Sequence, residues 1–534
     1  MDDPVPDVLN WKRETSRGLS PWVAWAVVIT WFAYLFLKLT DLAALASLAD
    51  DSSNYLAMAR CFSPWGADDA AALSVCQQQY FPLGFPLLLG LLGLAHSLPL
   101  AHAAVIAAFL ASLPFLWRHA ALVLHSRALA HVLMMFCVVL PGTLLGLQGI
   151  LSESWYLLLS AAFIAGHSDA VDRRPVSACL AGILLGLVVT SRTIGLVLPA
   201  AVLVRAVVTR LRSGRVPPGT WLELGACAAV LALFSMLTPE RVEVRGYGAI
   251  WDDLFASPQG LVDYLGAQVG GLTESWASFI ALYWSDERPL TWASMMFVLA
   301  ISLGGVALRL VANRLDALYV AGYLAVLLVW PYPGQMFRFL FPIMPFLLLN
   351  GAWLLVIISR RYERLRLPLW IVPGLVAALA LPSHAFLMGR AELAREDGLS
   401  PVYEWYRKPA LVEARRELGL QNRIFADFAE LDRSLPGGAV VGFYEPSYVT
   451  VLSARKSVPL PYPVDANTWR TAREAGATHV FLTRIHPRLS RSGIDGLAIV
   501  GRPPRDAELM WCSRESLQGL PASCLYALAL VRQP

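Results

Sequence analysis

The sequence predicts a mainly α-helical, polytopic membrane bundle of about eleven spans, followed by a small α/β domain. Three observations lead there. Of the 534 residues, 57% are hydrophobic and only 15% charged, with 18 Trp and a mean hydropathy of +0.54; soluble globular chains run about 45–50% apolar and about 25% charged. The apolar residues gather in runs of about 17 or more, long enough to cross a bilayer as helices that satisfy their own backbone. The stretch 389–534, by contrast, is polar and holds no such run. A water-soluble enzyme with one core is excluded, as is a disordered chain. A net charge of +4, scattered along the chain, gives no footprint for nucleic acid; the bilayer is the expected partner.

Runs near 21–39, 101–117, 128–147, 151–166, 176–191, 194–209, 220–238, 289–308, 317–332, 338–358 and 368–388 read as the spans. Basic residues are retained on the cytoplasmic side. With residues 1–20 inside, Lys12, Arg13 and Arg17 lie in the cytoplasm. So do Arg118 and Arg127, Arg173 and Arg174, the group Arg210, Arg212 and Arg215, the pair Arg309 and Arg314, and the group Arg360, Arg361, Arg364 and Arg366. This holds only if the apolar segment 82–97 does not cross; Pro82, Gly84 and Pro86 break it, and it reads as a re-entrant or surface-lying helix. Residues 21–39 are longer than a signal-peptide core and read as a retained anchor. The transmembrane part is therefore 21–388, with outer loops at 40–100 and 239–288, and the domain 389–534 lies outside.

Cysteine agrees with this map. Cys137, Cys179 and Cys227 fall in spans as small packing residues. Cys61 and Cys76 share the first outer loop and Cys512 and Cys524 share the tail, which fits two local disulfides in an oxidising compartment. In the middle loop, aromatic and acidic residues alternate with Gly, including Asp252 and Asp253, as in helices lying along a membrane surface. In the tail, 438–443 and 477–482 read as strands, and 447–453 and 469–475 as short helices, giving a small α/β domain. His479 and His486 have no metal-like company and read as structural.

Ionisable groups at membrane depth are costly unless paired or facing a wet cavity. Here they collect on one surface. Asp50 and Asp51 stand where the first span leaves the bilayer, ahead of a helix capped by Ser52 or Ser53 that carries Tyr55, with Arg60 beside it. Glu153, Arg192 and Arg338 lie at outer turns of later spans. An acidic helix N-terminus would account for the two Asp alone, and headgroup snorkelling for each Arg alone; their convergence at one depth reads as a site. The chain has no P-loop, no G-x-G-x-x-G between strand and helix, and no H-E-x-x-H. A donor presented from the lipid suits an outer-face reaction. Sugar transfer from a polyprenyl phosphate needs a carboxylate to take the acceptor proton and fixed cations for the departing phosphate.

On these residues the sequence resembles the GT-C class of integral-membrane glycosyltransferases, in the branch of protein O-mannosyltransferases and the lipid A aminoarabinose transferase. That class carries an outer-loop Asp, usually Asp-Glu, with Tyr at the fourth following position and often Arg at the ninth; Asp51, Tyr55 and Arg60 match, with Ser52 in place of Glu. Tyr80-Phe81-Pro82-Leu83-Gly84-Phe85-Pro86, Ser152-Glu153, Thr190-Ser191-Arg192 and Arg338-Phe339-Leu340-Phe341-Pro342 follow in the class's order. The resemblance implies an inverting transfer with Asp51 as general base and Asp50 as its understudy. It implies Arg60, Arg338 and Arg192 on the donor phosphate, and Tyr55, Glu153 and Tyr80 on the substrate. No cofactor is expected, a divalent metal on the acidic pair being the minor alternative. The partners implied are a polyprenyl-phosphate-linked sugar and a lipid, glycan or protein acceptor, in a bacterial inner membrane with the C-terminal domain outside. Two other readings stay open: a transporter or flippase of lipid-linked saccharides, and a non-catalytic envelope-assembly protein.

Overall fold

The computed structural model describes residues 21–48, 51–65, 70–76, 81–170, 175–237, 258–282, 289–330, 335–361, 371–407, 410–460, 467–484, 507–513, 516–517 and 520–528. Asp50, Tyr80, Asp252, Asp253 and His486, all singled out above, lie outside them.

Apolar runs become helices in chain order. They are α1 (Pro21–Leu39), α2 (Ser52–Cys61), α3 (Ala70–Cys76), α4 (Gly84–Leu91), α5 (Leu98–Leu124), α6 (Arg127–Val139), α7 (Pro141–Gly146), α8 (Glu153–Ala170), α9 (Pro175–Ser191), α10 (Val197–Ser213) and α11 (Pro218–Leu237). There follow α12 (Pro258–Ile280), α13 (Pro289–Val311), α14 (Leu315–Leu328), α15 (Met336–Leu340), α16 (Met344–Arg361) and α17 (Ile371–Glu396). Among the described residues, six helical stretches are long and apolar enough to cross a membrane: α1, α5, 193–213, α11, 291–311 and α16. This is an integral membrane protein. Eleven crossings exceed what length and composition alone license, because α6, α9 and α14 are shorter apolar helices.

Prolines cut two of the expected spans. The run 128–147 divides at Leu140, which is extended ahead of Pro141, and the run 338–358 divides between Leu340 and Met344 around Pro342. These breaks bring chain ends and polar side chains together at one end of the bundle. The segment 82–97 holds only the eight-residue α4 and a short 3-10 turn, Leu94–His96. At 1.5 Å per residue, α4 is about 12 Å long, so this helix by itself is too short to span a bilayer core of about 30 Å. The surface-lying expectation for the middle loop is corrected over 276–281: Trp276, Phe279 and Ile280 of α12 are buried in the core, with the Phe279 ring against Phe337 and Phe341.

Beyond α17 the chain forms α18 (Tyr403–Arg407), α19 (Leu411–Ser434), β1 (Val440–Phe443), α20 (Pro446–Ser453), β2 (Lys456–Pro459), α21 (Thr468–Glu474), β3 (His479–Thr483), β4 (Ala507–Cys512), β5 (Ser516–Leu517), β6 (Leu520–Pro521) and β7 (Ser523–Leu528). The main sheet runs β2-β1-β3-β7-β4. Its first three strands are parallel, as crossover helices demand, while β7 is antiparallel to both neighbours. Phe428 of α19 fastens the long helix to this sheet through the rings of Phe443 and Phe481. Both cysteine pairs are disulfide-bonded, with Cα separations of 6.1 Å for Cys61–Cys76 and 4.1 Å for Cys512–Cys524; Cys137, Cys179 and Cys227 are free.

Candidate active site

Four separate chain segments meet at the end of the bundle where the runs 128–147 and 338–358 break. Asp51 takes the N-cap position of α2, displacing the Ser52 or Ser53 cap expected from the sequence. Its carbonyl accepts from Tyr55 N at 3.0 Å, but its carboxylate makes no capping bond. The side chain turns instead to α15, where Arg338 Nη2 donates to Asp51 Oδ2 at 2.5 Å. Arg338 Nε donates to Glu153 Oε1 at 2.9 Å, and the same oxygen is in ion-pair contact with Arg192. Two acids and two bases thus form one chain of charge: Asp51, Arg338, Glu153, Arg192.

Each member is held by local structure. Glu153 opens α8, where the helix N-terminus favours an acid. Arg192 stands in extended conformation between α9 and the 3-10 turn Thr193–Leu196. The guanidiniums of Arg192 and Arg338 both lie over the Phe339 ring, at 5.0 and 5.1 Å from its centroid, a placement the ring quadrupole favours. The Tyr323 hydroxyl donates to the Phe339 carbonyl at 2.9 Å, anchoring α15 from below. Ser52 Oγ accepts from Ile150 N at 2.9 Å, and Tyr55 and Ser152 share a hydroxyl bond of 2.9 Å, so α2 is riveted to the turn that carries Glu153. Helix α4 wedges between: a Cβ added at Gly84 would stand 2.8 Å from Thr190 O, and one at Gly90 would strike the Ala59 carbonyl.

Exposure separates the two acids. The Asp51 side chain is 22% exposed and that of Glu153 only 2%, so Asp51 faces the mouth and Glu153 the floor. Glu153 Oε2 is buried without a hydrogen-bond partner, whereas Arg192 Nη1 is held in the ion pair to Glu153 Oε1. Buried polar atoms in native folds nearly always have a partner, so the floor presents one acceptor atom, Glu153 Oε2, to a ligand.

Of the residues expected at the site, the structure brings Asp51, Tyr55, Glu153, Arg192 and Arg338 together. Tyr55 is buried, with its hydroxyl committed to Ser152; burial pushes its phenol up to about 12, so it stays neutral. Arg60 does not join them. It lies nine residues after Asp51, half a turn out of phase at 100° per residue, and its guanidinium goes to backbone carbonyls of Ala95, Thr450 and Val451. The sequence reading missed Phe339 and Tyr323; an aromatic next to Arg338 was visible, but nothing marked it as a plate for two cations. Among the described residues, no three His, Cys, Asp or Glu side chains converge as a metal-ligand set.

No protein-family model matches the chain, and no curated protein matches its sequence. Solved structures do match its fold. ArnT from Cupriavidus metallidurans in the apo state superposes with a TM-score of 0.50 at 12% identity, over 96% of this chain and 100% of that one. The same protein bound to undecaprenyl phosphate gives 0.50 at 12%, over 97% and 100%. The Archaeoglobus fulgidus oligosaccharyltransferase tethered to an acceptor peptide gives 0.50 at 10%, over 86% of this chain and 69% of that one. A membrane helix bundle with a small sheet domain, its charged mouth lined by Asp51, Glu153, Arg192 and Arg338, thus shares its fold with these solved membrane proteins.

Proposed function

We propose that the protein is an inverting glycosyltransferase that moves a sugar from a polyprenyl-phosphate donor to an acceptor hydroxyl on the outer side of the membrane. The observation that carries this reading is the four-residue charge chain with Asp51 at its solvent end and an unpartnered Glu153 Oε2 at its buried end. Its likeness in fold to the ArnT structure bound to undecaprenyl phosphate supports a lipid phosphate as donor group.

In this reading the phosphate draws Arg338 away from Asp51 and is held by Arg338 and Arg192. Asp51 then meets the acceptor hydroxyl and takes its proton as the oxygen attacks the anomeric carbon. The bond from that carbon to the phosphate oxygen breaks, and its electron pair stays on the phosphate, whose growing charge the two guanidiniums stabilise. Glu153 keeps both cations in place and offers Oε2 to a sugar hydroxyl. Attack from the face opposite the phosphate inverts the centre. The acceptor is a lipid, a glycan or a protein, and the chain crosses about eleven times, in a bacterial inner membrane with its C-terminal domain outside.

The test compares wild type with Asp51→Asn in membranes supplied with labelled polyprenyl-phosphate sugar. Loss of the base should cut transfer by about 10²–10⁴; full transfer at equal protein level rejects Asp51. Reporter fusions at residues 98 and 122 test sidedness, and a cytoplasmic 98 rejects the topology.

A further inference from the structure

Helix α2 is polar in composition, SSNYLAMARC, yet residues 52–59 are all buried. Two layers claim two of its faces, about 100° apart. Ser52 and Tyr55 hold the turn before α8. Ser53 and Arg60, seven residues apart and so in line, hold α20 of the C-terminal domain. Ser53 Oγ meets Ser447 Oγ at 3.0 Å. Arg60 donates to the Thr450 carbonyl at 3.3 Å and the Val451 carbonyl at 3.5 Å, in the last turn of α20, where carbonyls have no intrahelical partner and attract a cation. The chain leading into α2 is held from the same side: the Tyr448 hydroxyl donates to Ser47 O at 3.1 Å, Leu48 N donates to Gln421 Oε1 at 3.4 Å, and Tyr406 donates to Leu39 O at 2.8 Å.

We propose that Arg60 and Tyr448 are positioning residues that clamp the C-terminal domain over α2 and thereby fix the direction of Asp51 against Arg338. Asp51 is the first residue of a lever about 15 Å long, and its side chain makes no bond to its own helix. Whatever holds the far end of the lever and the segment before it sets where the carboxylate points. A misplacement of about 1 Å in a reacting group costs about a hundredfold in rate. The catalytic consequence rests on the reaction proposed above; the clamp itself does not.

The full-length protein in nanodiscs provides the test, comparing Arg60→Lys and Tyr448→Phe with Arg338→Lys. Three quantities are read: amide hydrogen exchange over residues 52–59, affinity for undecaprenyl phosphate, and kcat with donor KM for transfer from a labelled polyprenyl-phosphate sugar. The first two variants should speed exchange across 52–59 and lower kcat about tenfold to a hundredfold, with donor KM and undecaprenyl phosphate affinity changed less than about twofold. Arg338→Lys should weaken undecaprenyl phosphate binding. Unchanged exchange in both Arg60→Lys and Tyr448→Phe overturns the clamp whatever the activity, and a loss of lipid affinity in Arg60→Lys as large as in Arg338→Lys overturns it in favour of a phosphate contact. A wild-type protein that neither binds nor transfers would reject the proposed reaction and leave the exchange measurement to decide the clamp.

Discussion

The Asp51 end and the opposite end of the bundle both bury charge, and they do so differently. At the far ends of α5, α13 and α14, Arg309 Nη2 donates to both oxygens of Asp316, at 2.7 and 2.6 Å, and His119 Nε2 adds a contact of 3.2 Å to Oδ2. A second pair, His167 with Glu223 at 3.0 Å, joins α8 to α11. Asp316 has both oxygens engaged and is 2% exposed. At the Asp51 end acids and arginines form an open chain in which Asp51 is 22% exposed and Glu153 Oε2 is unpartnered, whereas at Asp316 both carboxylate oxygens are engaged and the unpartnered buried atom is a guanidinium nitrogen, Arg309 Nε. A closed cluster fastens helices; an open one has capacity left for a ligand. Because every ionisable group is expensive at membrane depth, how far each carboxylate is engaged and shielded distinguishes structural charge from functional charge better than its mere presence.

The largest expected effect sharpens that contrast. Asp316→Ala strands Arg309 in the bilayer and should cost about 3–5 kcal/mol, read as a collapse of the detergent-unfolding midpoint. Asp51→Ala should leave that midpoint nearly unchanged, since its carboxylate is partly exposed. Turnover lost in a stable Asp316→Asn would break the distinction. Next, Gly90→Ala drives a methyl into the Ala59 backbone; overpacking of this kind costs about 1–3 kcal/mol, and transfer activity should fall with it, because α4 wedges α2 in place. An unaffected Gly90→Ala would show that the mouth tolerates a displaced α2. Tyr323→Phe leaves the Phe339 carbonyl without its donor, about 1–3 kcal/mol. It should raise donor KM several-fold through Arg338, measured at constant protein level.

The smallest effect concerns pH in the sheet domain. Burial lowers the His479 imidazole below its usual value, so the unfolded chain binds the proton more tightly than the folded one. The native state is therefore unpenalised above about pH 6.5 and loses stability as pH falls through the folded value. Thermal unfolding of the domain should shift down between neutral and mildly acidic pH, and His479→Gln should flatten that slope.

Much of the site was legible because ionisable residues stand out in an apolar chain. Glu153, Arg192 and Arg338 each interrupt long uncharged runs, and Tyr55 lies one helical turn past Asp51. Arg60 stands apart from the charge chain for a physical reason: its distance along the chain matched, but its helical phase turns it toward the carbonyls of Ala95, Thr450 and Val451. The inner cluster was invisible, since His119 and Asp316 are 197 residues apart and Arg309 had already been explained by sidedness. In the tail, β1 and β3 were legible as buried apolar runs. β2 and β4 were not, because Lys456-Ser457-Val458-Pro459 is a polar edge strand and β4 exposes Leu509 and Met510, so neither shows a buried alternation. The 24-residue α19 is rich in Arg and Glu, and its apolar stripe was passed over for the same reason.

The buried α2 also has a history in time. Arg60 and its acceptor in Thr450 are 390 residues apart, and a ribosome adding about 5–20 residues per second needs roughly 20–80 s to bridge that interval. Throughout it the helix that carries Asp51 stands uncovered on one side, facing water. A sequence opening Ser-Ser-Asn tolerates that wait where a run of Leu or Val would invite aggregation. Its polarity, odd for a segment so completely enclosed in the finished molecule, suits the half-built one.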